Sequence, residues 1–176
     1  LYLAHTHVPT HWSKQGIDLE RLEWKTGEGN ALEIERTLPN GVAFGAKVMP
    51  EPSSMRMELW LTNGSGQPLS GLRVQNCVML GHLTGFAAQT NDNKVFRSPY
   101  VACRNEAGDR WIITAWEHCG HAWGNAPCPC LHSDPEFPPF ADGQRATHRL
   151  RGWLSFYEGK ELDGELKRIE ATGWRK

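Results

Sequence analysis

The densest group of chemically capable side chains falls between His118 and His132. His118, Cys119, His121, Cys128, Cys130 and His132 lie within fifteen residues, flanked by Trp116 and Trp123. Imidazole and thiolate are the usual protein donors for zinc, copper and iron. The spacing is Cys-x-His-x6-Cys-x-Cys-x-His, with a His-x-x-His at its start, and it matches no specific zinc-finger pattern. One transition metal (zinc, copper or iron) held by His118, His121, Cys128, Cys130 and His132 is one expectation. With three imidazoles and an open position, such a metal would polarise water or bind oxygen. Closed by Cys128 or Cys130, it would stabilise a loop that has little core of its own. Disulfides from Cys128 or Cys130 to Cys77, Cys103 or Cys119 are an equal alternative. A Cys–His nucleophile pair is a lesser one, since it needs an imidazolium beside the thiol. The chain has five cysteines. An oxidising compartment would leave at least one without a partner, and a reducing one would leave thiols or ligands.

A second candidate pair of metal ligands stands at the start of the chain. If Leu1–His7 is extended, Leu1, Leu3, His5 and His7 share one face. His5-Thr6-His7 is followed by His11. The pattern resembles the cupin motif over about a dozen residues. There, H-x-H is followed four residues on by a carboxylate, where this chain has His11. The resemblance implies a mononuclear metal inside a β-barrel. The plainer alternative is an exposed terminal histidine pair.

A third candidate is the polar run Gln89-Thr90-Asn91-Asp92-Asn93-Lys94. Amides and carboxylates bind sugar hydroxyls, while an indole face covers the apolar side of a sugar ring. Gln89, Asn91 and Asp92 would supply the polar groups, and Trp12, Trp116 and Trp123 the ring faces. Asn and Asp are also common in ordinary turns. Asn63-Gly64-Ser65 has the form of a glycosylation sequon, but within a turn sequence. Glu117 and Asp134 could be paired as acid and base for glycoside cleavage. A chain with 20 acidic residues offers many such pairs, so this pairing has little specificity.

The elements that must position these residues read as β-strands. Met55, Met57, Leu59 and Leu61 alternate with Arg56, Glu58, Trp60 and Thr62. A turn at Asn63–Pro68 leads to Leu72–Leu80, where Leu72, Val74, Val78 and Leu80 share a face, and the two runs are expected to form a hairpin. Further strands are expected at Ala31–Arg36, Val42–Met49, Lys94–Phe96, Arg110–Trp116 and Arg149–Tyr157. Glu161–Glu170 carries Leu162, Leu166 and Ile169 at helical spacing, and Ile17–Trp24 is expected to add a turn or two of helix. The stretch from His118 to Phe140 is rich in proline, lacks apolar periodicity and reads as a long structured loop. The fold class is mainly β: an antiparallel β-sandwich or jelly roll with a short C-terminal helix and a long Pro-rich loop.

The 176 residues fit one soluble domain, spanning residues 1–176. The chain opens at Leu1, read as the loss of an upstream segment. No apolar run is long enough to cross a membrane as a helix. The net charge is −1, with no clustered excess of Lys and Arg, which speaks against nucleic acid and anionic membrane as partners. Three functions remain. The first is a carbohydrate-interacting β-sandwich, either a binding module or part of a carbohydrate-active enzyme, which requires an exposed aromatic platform. The second is a mononuclear metal-binding jelly-roll protein, extending to a metal-dependent oxidoreductase, which requires converging donors. The third is a structural or interaction domain, in which His and Cys are dispersed. Compartment and oligomeric state stay open.

Overall fold

The computed structural model describes residues 10, 12–141, 143 and 145–176. His5, His7 and His11 lie outside them. The described residues form eleven strands: β1 (Lys25–Thr26), β2 (Leu32–Thr37), β3 (Ala43–Pro50), β4 (Ser54–Asn63), β5 (Cys77–Met79), β6 (Lys94–Arg97), β7 (Tyr100–Arg104), β8 (Arg110–Trp116), β9 (Cys119–Trp123), β10 (Cys130–Pro135) and β11 (Ala146–Glu158). One helix, α1 (Leu162–Ala171), follows. The strands pair antiparallel in two sheets, of order β1-β2-β3-β4-β11-β8-β7-β6 and β5-β10-β9. The fold is an antiparallel β-sandwich with a short C-terminal helix.

Alternation along the strands assigns each face of the large sheet. On β8, Trp111, Ile113 and Ala115 pack with Leu162, Ile169 and Trp174 of the C-terminal segment. Ile112 and Trp116 turn to the other side, into the sandwich. There Met57, Leu59 and Leu61 of β4 and Leu150 of β11 form a core with Trp116. Val78, Leu80, Leu131 and Ala122 bring the small sheet against Val101, Cys103 and Ile112. Two glycines make room for indoles across the ladder. A Cβ on Gly152 would stand 2.7 Å from the Trp116 ring, and one on Gly45 would stand 2.3 Å from Trp60.

Several expectations need correction. β4 does not form a hairpin with Leu72–Leu80, because both its edges are taken, by β3 and β11. The chain after Asn63 instead leaves the large sheet, with bridges Leu69↔Phe140 and Arg73↔Glu136, and delivers β5 to β10. The inward face of Leu72–Leu80 is as expected: Leu72 and Val74 meet one core cluster, Val78 and Leu80 the other. The long Pro-rich loop is not a loop throughout, since it carries β9 and β10. Ile17–Trp24 is not helical; a short 3-10 turn at Ser13–Gln15 precedes it. β7, a strand not expected from the sequence, fills the place between β6 and β8. Asn63 is buried: its Nδ2 donates to Gln67 O and its Oδ1 accepts from Ser65, so the sequon is an Asx-type turn.

Candidate metal centre

The small sheet turns one face to the large sheet and the other away from it. Register fixes what the second face carries. Cys77 stands opposite His132, and Met79 opposite Cys130. Trp123 stands opposite His132 on the other side of β10, and His121 opposite Asp134. Because Val78, Leu131 and Ala122 point inward, Cys77, Met79, Cys130, His132, Asp134 and Trp123 share the outward face.

Three donors converge there. The Cys77 thiol, the Cys130 thiol and a His132 ring nitrogen lie within 4.8 Å of one another. Donors of a tetrahedral site with bonds of about 2.3 Å stand about 3.8 Å apart, so small side-chain movements would close a coordination sphere. Cys130 Sγ is 3.3 Å from His132 Nε2. Cys128 sits two residues before Cys130 at the mouth of the group, with its Sγ 3.9 Å from Met79 Sδ. The Cys77 thiol points to the same Met79 sulfur at 3.4 Å.

The surroundings hold His132 in place. It is 2% exposed, and the Trp123 ring stacks on it with centroids 4.0 Å apart. Its Nδ1 faces Asp134 Oδ1 at 3.5 Å, too long for a good hydrogen bond, and has no other partner among the described residues. Asp134 is itself fixed. Its Oδ1 accepts the Asn76 backbone N–H and its Oδ2 the Trp123 Nε1–H, both at 2.7 Å. A carboxylate facing the far nitrogen of an imidazole is how metal-bound histidines are commonly oriented. A buried imidazole costs free energy where a ring nitrogen lacks a partner, and a cation on Nε2 would favour the tautomer whose Nδ1–H faces Asp134.

Two of the neighbouring thiols, Cys77 and Cys128, hold their protons more tightly than usual. Desolvation, then the neighbouring Cys130, Cys128 and Asp134, push Cys77 up to about 12. Desolvation and Cys130 also raise Cys128. All five cysteines are free thiols. The disulfides considered from sequence are not formed, and Cys103 is buried in the sandwich core.

Of the sequence candidates, Cys130 and His132 join the group and Cys128 borders it. His118 and His121 do not take part. His118 has a left-handed backbone (φ 53) just before β9. With Ser98, Pro99, Glu117, Cys119 and Arg175 it lines a separate open cleft of about 370 Å³. His121 is exposed and stacks on Trp123 at 5.5 Å. Cys119 Sγ accepts from Ser133 Oγ at 3.4 Å. Glu117 accepts the Arg151 backbone N–H, while Asp134 is buried in the outward face, so the two carboxylates serve separate structural contacts. Sequence reasoning placed Cys77 only as a disulfide partner and missed Met79. The available signal was Cys77-Val78-Met79-Leu80, in which soft donors alternate with inward apolar residues.

The aromatic platform expected for a sugar is not assembled as proposed. Trp116 is fully buried against Gly152, and Trp12 stacks on Phe44 at 5.8 Å in the core, so neither offers a ring face to a ligand. Six of the eight tryptophans are buried; Trp24 and Trp123 are half-buried. Gln89, Asn91 and Asp92 are exposed, and Asn91 Nδ2 donates to Gly124 O at 3.2 Å, beside Trp123. No described helix is long and apolar enough to cross a membrane.

No family model matches the chain, and no curated protein matches it. A solved structure of similar fold is described as a putative kojibiose phosphorylase from human microbiome. The TM-score is 0.51 at 6% sequence identity, over 83% of this chain and 20% of that one. The chain thus spans about a fifth of that protein.

Proposed function

We propose that this is a metal-binding β-sandwich protein whose centre is held by Cys77, Cys130 and His132, with Cys128 as the fourth donor. The observation that carries this reading is the convergence of three donor atoms within 4.8 Å on one face of the small sheet. Its support is the Asp134–His132 arrangement and the orphaned Nδ1 of a buried imidazole. The metal would bind as coordinating thiols give up protons to solvent, which makes uptake pH-dependent. Three thiolates and an imidazole would close the sphere, so the centre would bind and hold a metal and tie β5 to β10 rather than activate water.

A second reading, a carbohydrate-interacting sandwich, is supported by the fold likeness to the phosphorylase and by the exposed Gln89, Asn91 and Asp92. It is a likeness of fold, and folds host many functions.

One experiment tests both. Protein purified reduced and without added metal is analysed for metal content, then titrated with cobalt(II) as a spectroscopic stand-in. About one ion per chain, with thiolate-to-cobalt absorption lost in Cys130→Ser and His132→Leu, is the expected result. Metal near zero with no uptake on titration would overturn the first reading. A separate arm adds mono- and disaccharides, kojibiose among them, and follows the melting temperature. No shift at millimolar sugar would remove the second.

A further inference from the structure

We propose that the centre is selective for a soft monovalent cation, copper(I), and that Met79 is its outermost ligand. This rests on the metal-binding reading above and adds to it the identity of the ion, with Met79 taking the fourth position there given to Cys128.

The argument begins with strand register. Cys77 and Met79 are two residues apart on β5; Cys130 and His132 are two apart on β10, and the two pairs face each other. Side chains opposite each other on antiparallel strands stand about 5 Å apart at Cβ. The outward face therefore presents a four-cornered set of two thiols, one thioether and one imidazole. The Met79 sulfur is the meeting point of its upper half, at 3.4 Å from Cys77 Sγ and 3.9 Å from Cys128 Sγ.

Strand alternation turns Met79 outward, over the donor group. It is 58% exposed, while Val78 and Leu80 on either side turn into the core. An apolar side chain gains from burial, and a long unbranched one adapts easily to reach it. Met79 instead lies over two thiols at the open end of the group, with Cys130 and His132 buried beneath it.

Donor chemistry then chooses the ion. Zinc in proteins is held by thiolate, imidazole and carboxylate, and a neutral thioether adds little to it. Thiolate and thioether together select copper(I), and imidazole also suits copper. Loading involves no electron transfer: each coordinating thiol exchanges its proton for the incoming cation, and the proton goes to solvent. The exposed thioether and the exposed Cys77 would be the first atoms such an ion meets.

The test uses reduced protein under anaerobic conditions. Copper(I) is supplied in competition with a chromophoric copper(I) chelator, and zinc is titrated in parallel against a zinc indicator. Met79→Leu is expected to weaken copper(I) at least tenfold and zinc less than twofold, with the metal-free melting temperature unchanged because the residue is largely exposed. Protein labelled with selenomethionine is expected to show selenium scattering at the copper absorption edge. Equal copper affinity in wild type and Met79→Leu, or equal losses for both ions, would overturn the inference while leaving a metal centre in place. Failure of both ions to bind wild type would overturn the metal-binding reading and this inference with it.

Discussion

The two sheets bury their residues for different reasons. On β8 in the large sheet, Trp111 through Trp116 are all buried, and all but Thr114 are apolar. On β10 in the small sheet, Cys130 through Pro135 are buried just as completely, yet its outward side chains are Cys130, His132 and Asp134. Burying an apolar side chain gains roughly 1.5–3 kcal/mol, whereas burying a polar group costs free energy unless it is paired. The large sheet also has orphaned polar atoms: the Nε1 of Trp111, Trp116 and Trp153, Arg36 Nε, and the hydroxyls of Thr114 and Ser155. Each indole nitrogen belongs to a ring whose apolar area outweighs one lost hydrogen bond. His132 differs in that its orphaned nitrogen stands 3.5 Å from a buried carboxylate, with two thiols beside its other nitrogen. Apolar packing alone therefore does not account for the face of the small sheet, and under the proposed reading a bound cation would satisfy it.

The largest expected effect separates the sheets directly. Leu150 is fully buried where β11 crosses the sandwich core. Leu150→Ala should cost about 3 kcal/mol through lost burial and the cavity left behind. That cost should be the same with metal or with chelator. His132→Leu keeps bulk and removes the orphaned nitrogen, so in chelated protein it should cost less than about 1 kcal/mol. It should, however, abolish the metal-dependent rise in stability, about 4 kcal/mol when free metal is a thousandfold above its dissociation constant. Thermal unfolding of both variants in metal and in chelator checks this. A metal-dependent rise that survives in His132→Leu would break the comparison.

The next effect concerns titration in the large sheet. β7 places Tyr100 toward α1 and Cys103 toward the sandwich core. Burial, then its hydrogen bond to Glu170, pushes Tyr100 up to about 12, and burial pushes Cys103 up to about 11. Both groups hold their protons more tightly folded than unfolded. Their contribution is fully present below about pH 9 and is lost as pH rises through 11 to 12, with Cys103 worth on the order of 2 kcal/mol. Chemical unfolding from pH 8 to 11.5 should show this decline, and Cys103→Ala with Tyr100→Phe should lessen it, leaving the part that comes from Cys77 and Cys128. A decline unchanged in that double variant would place its whole source outside β7.

The sequence carried the large sheet better than the small one, for a physical reason. Period-two alternation of Met55, Met57, Leu59 and Leu61 is an apolar signal, and β4 lies there. In β10 the same period exists, but its outward members are Cys130, His132 and Asp134, and Pro127, Pro129 and Pro135 interrupt the surroundings. Polar donors at strand spacing read as loop. Three of the four proposed donors, Cys128, Cys130 and His132, were legible. Cys77 was not, because pairing of β5 with β10 joins residues over fifty positions apart, and one-dimensional spacing favoured the nearby His118 and His121.

The smallest expected effect uses a matched pair of tryptophans. Trp60 in the large sheet donates its Nε1–H to Glu35 Oε2, and Trp123 in the small sheet donates to Asp134 Oδ2, each at 2.7 Å. Replacing either by Phe removes one hydrogen bond to a carboxylate and keeps most of the ring. Each should lose about 1–2 kcal/mol of stability in metal-free protein. They should part when metal binding is measured. Trp123 fixes the carboxylate that faces His132 and stacks on the imidazole itself, so Trp123→Phe should also weaken metal binding about tenfold. Trp60→Phe should leave it unchanged, since its bond joins β4 to β2 in the large sheet, whereas Cys77, Cys130 and His132 lie in the small one. Equal affinities in the two variants would mean that Asp134 does not orient His132. The outward face of the small sheet would then need another account of its buried polar residues.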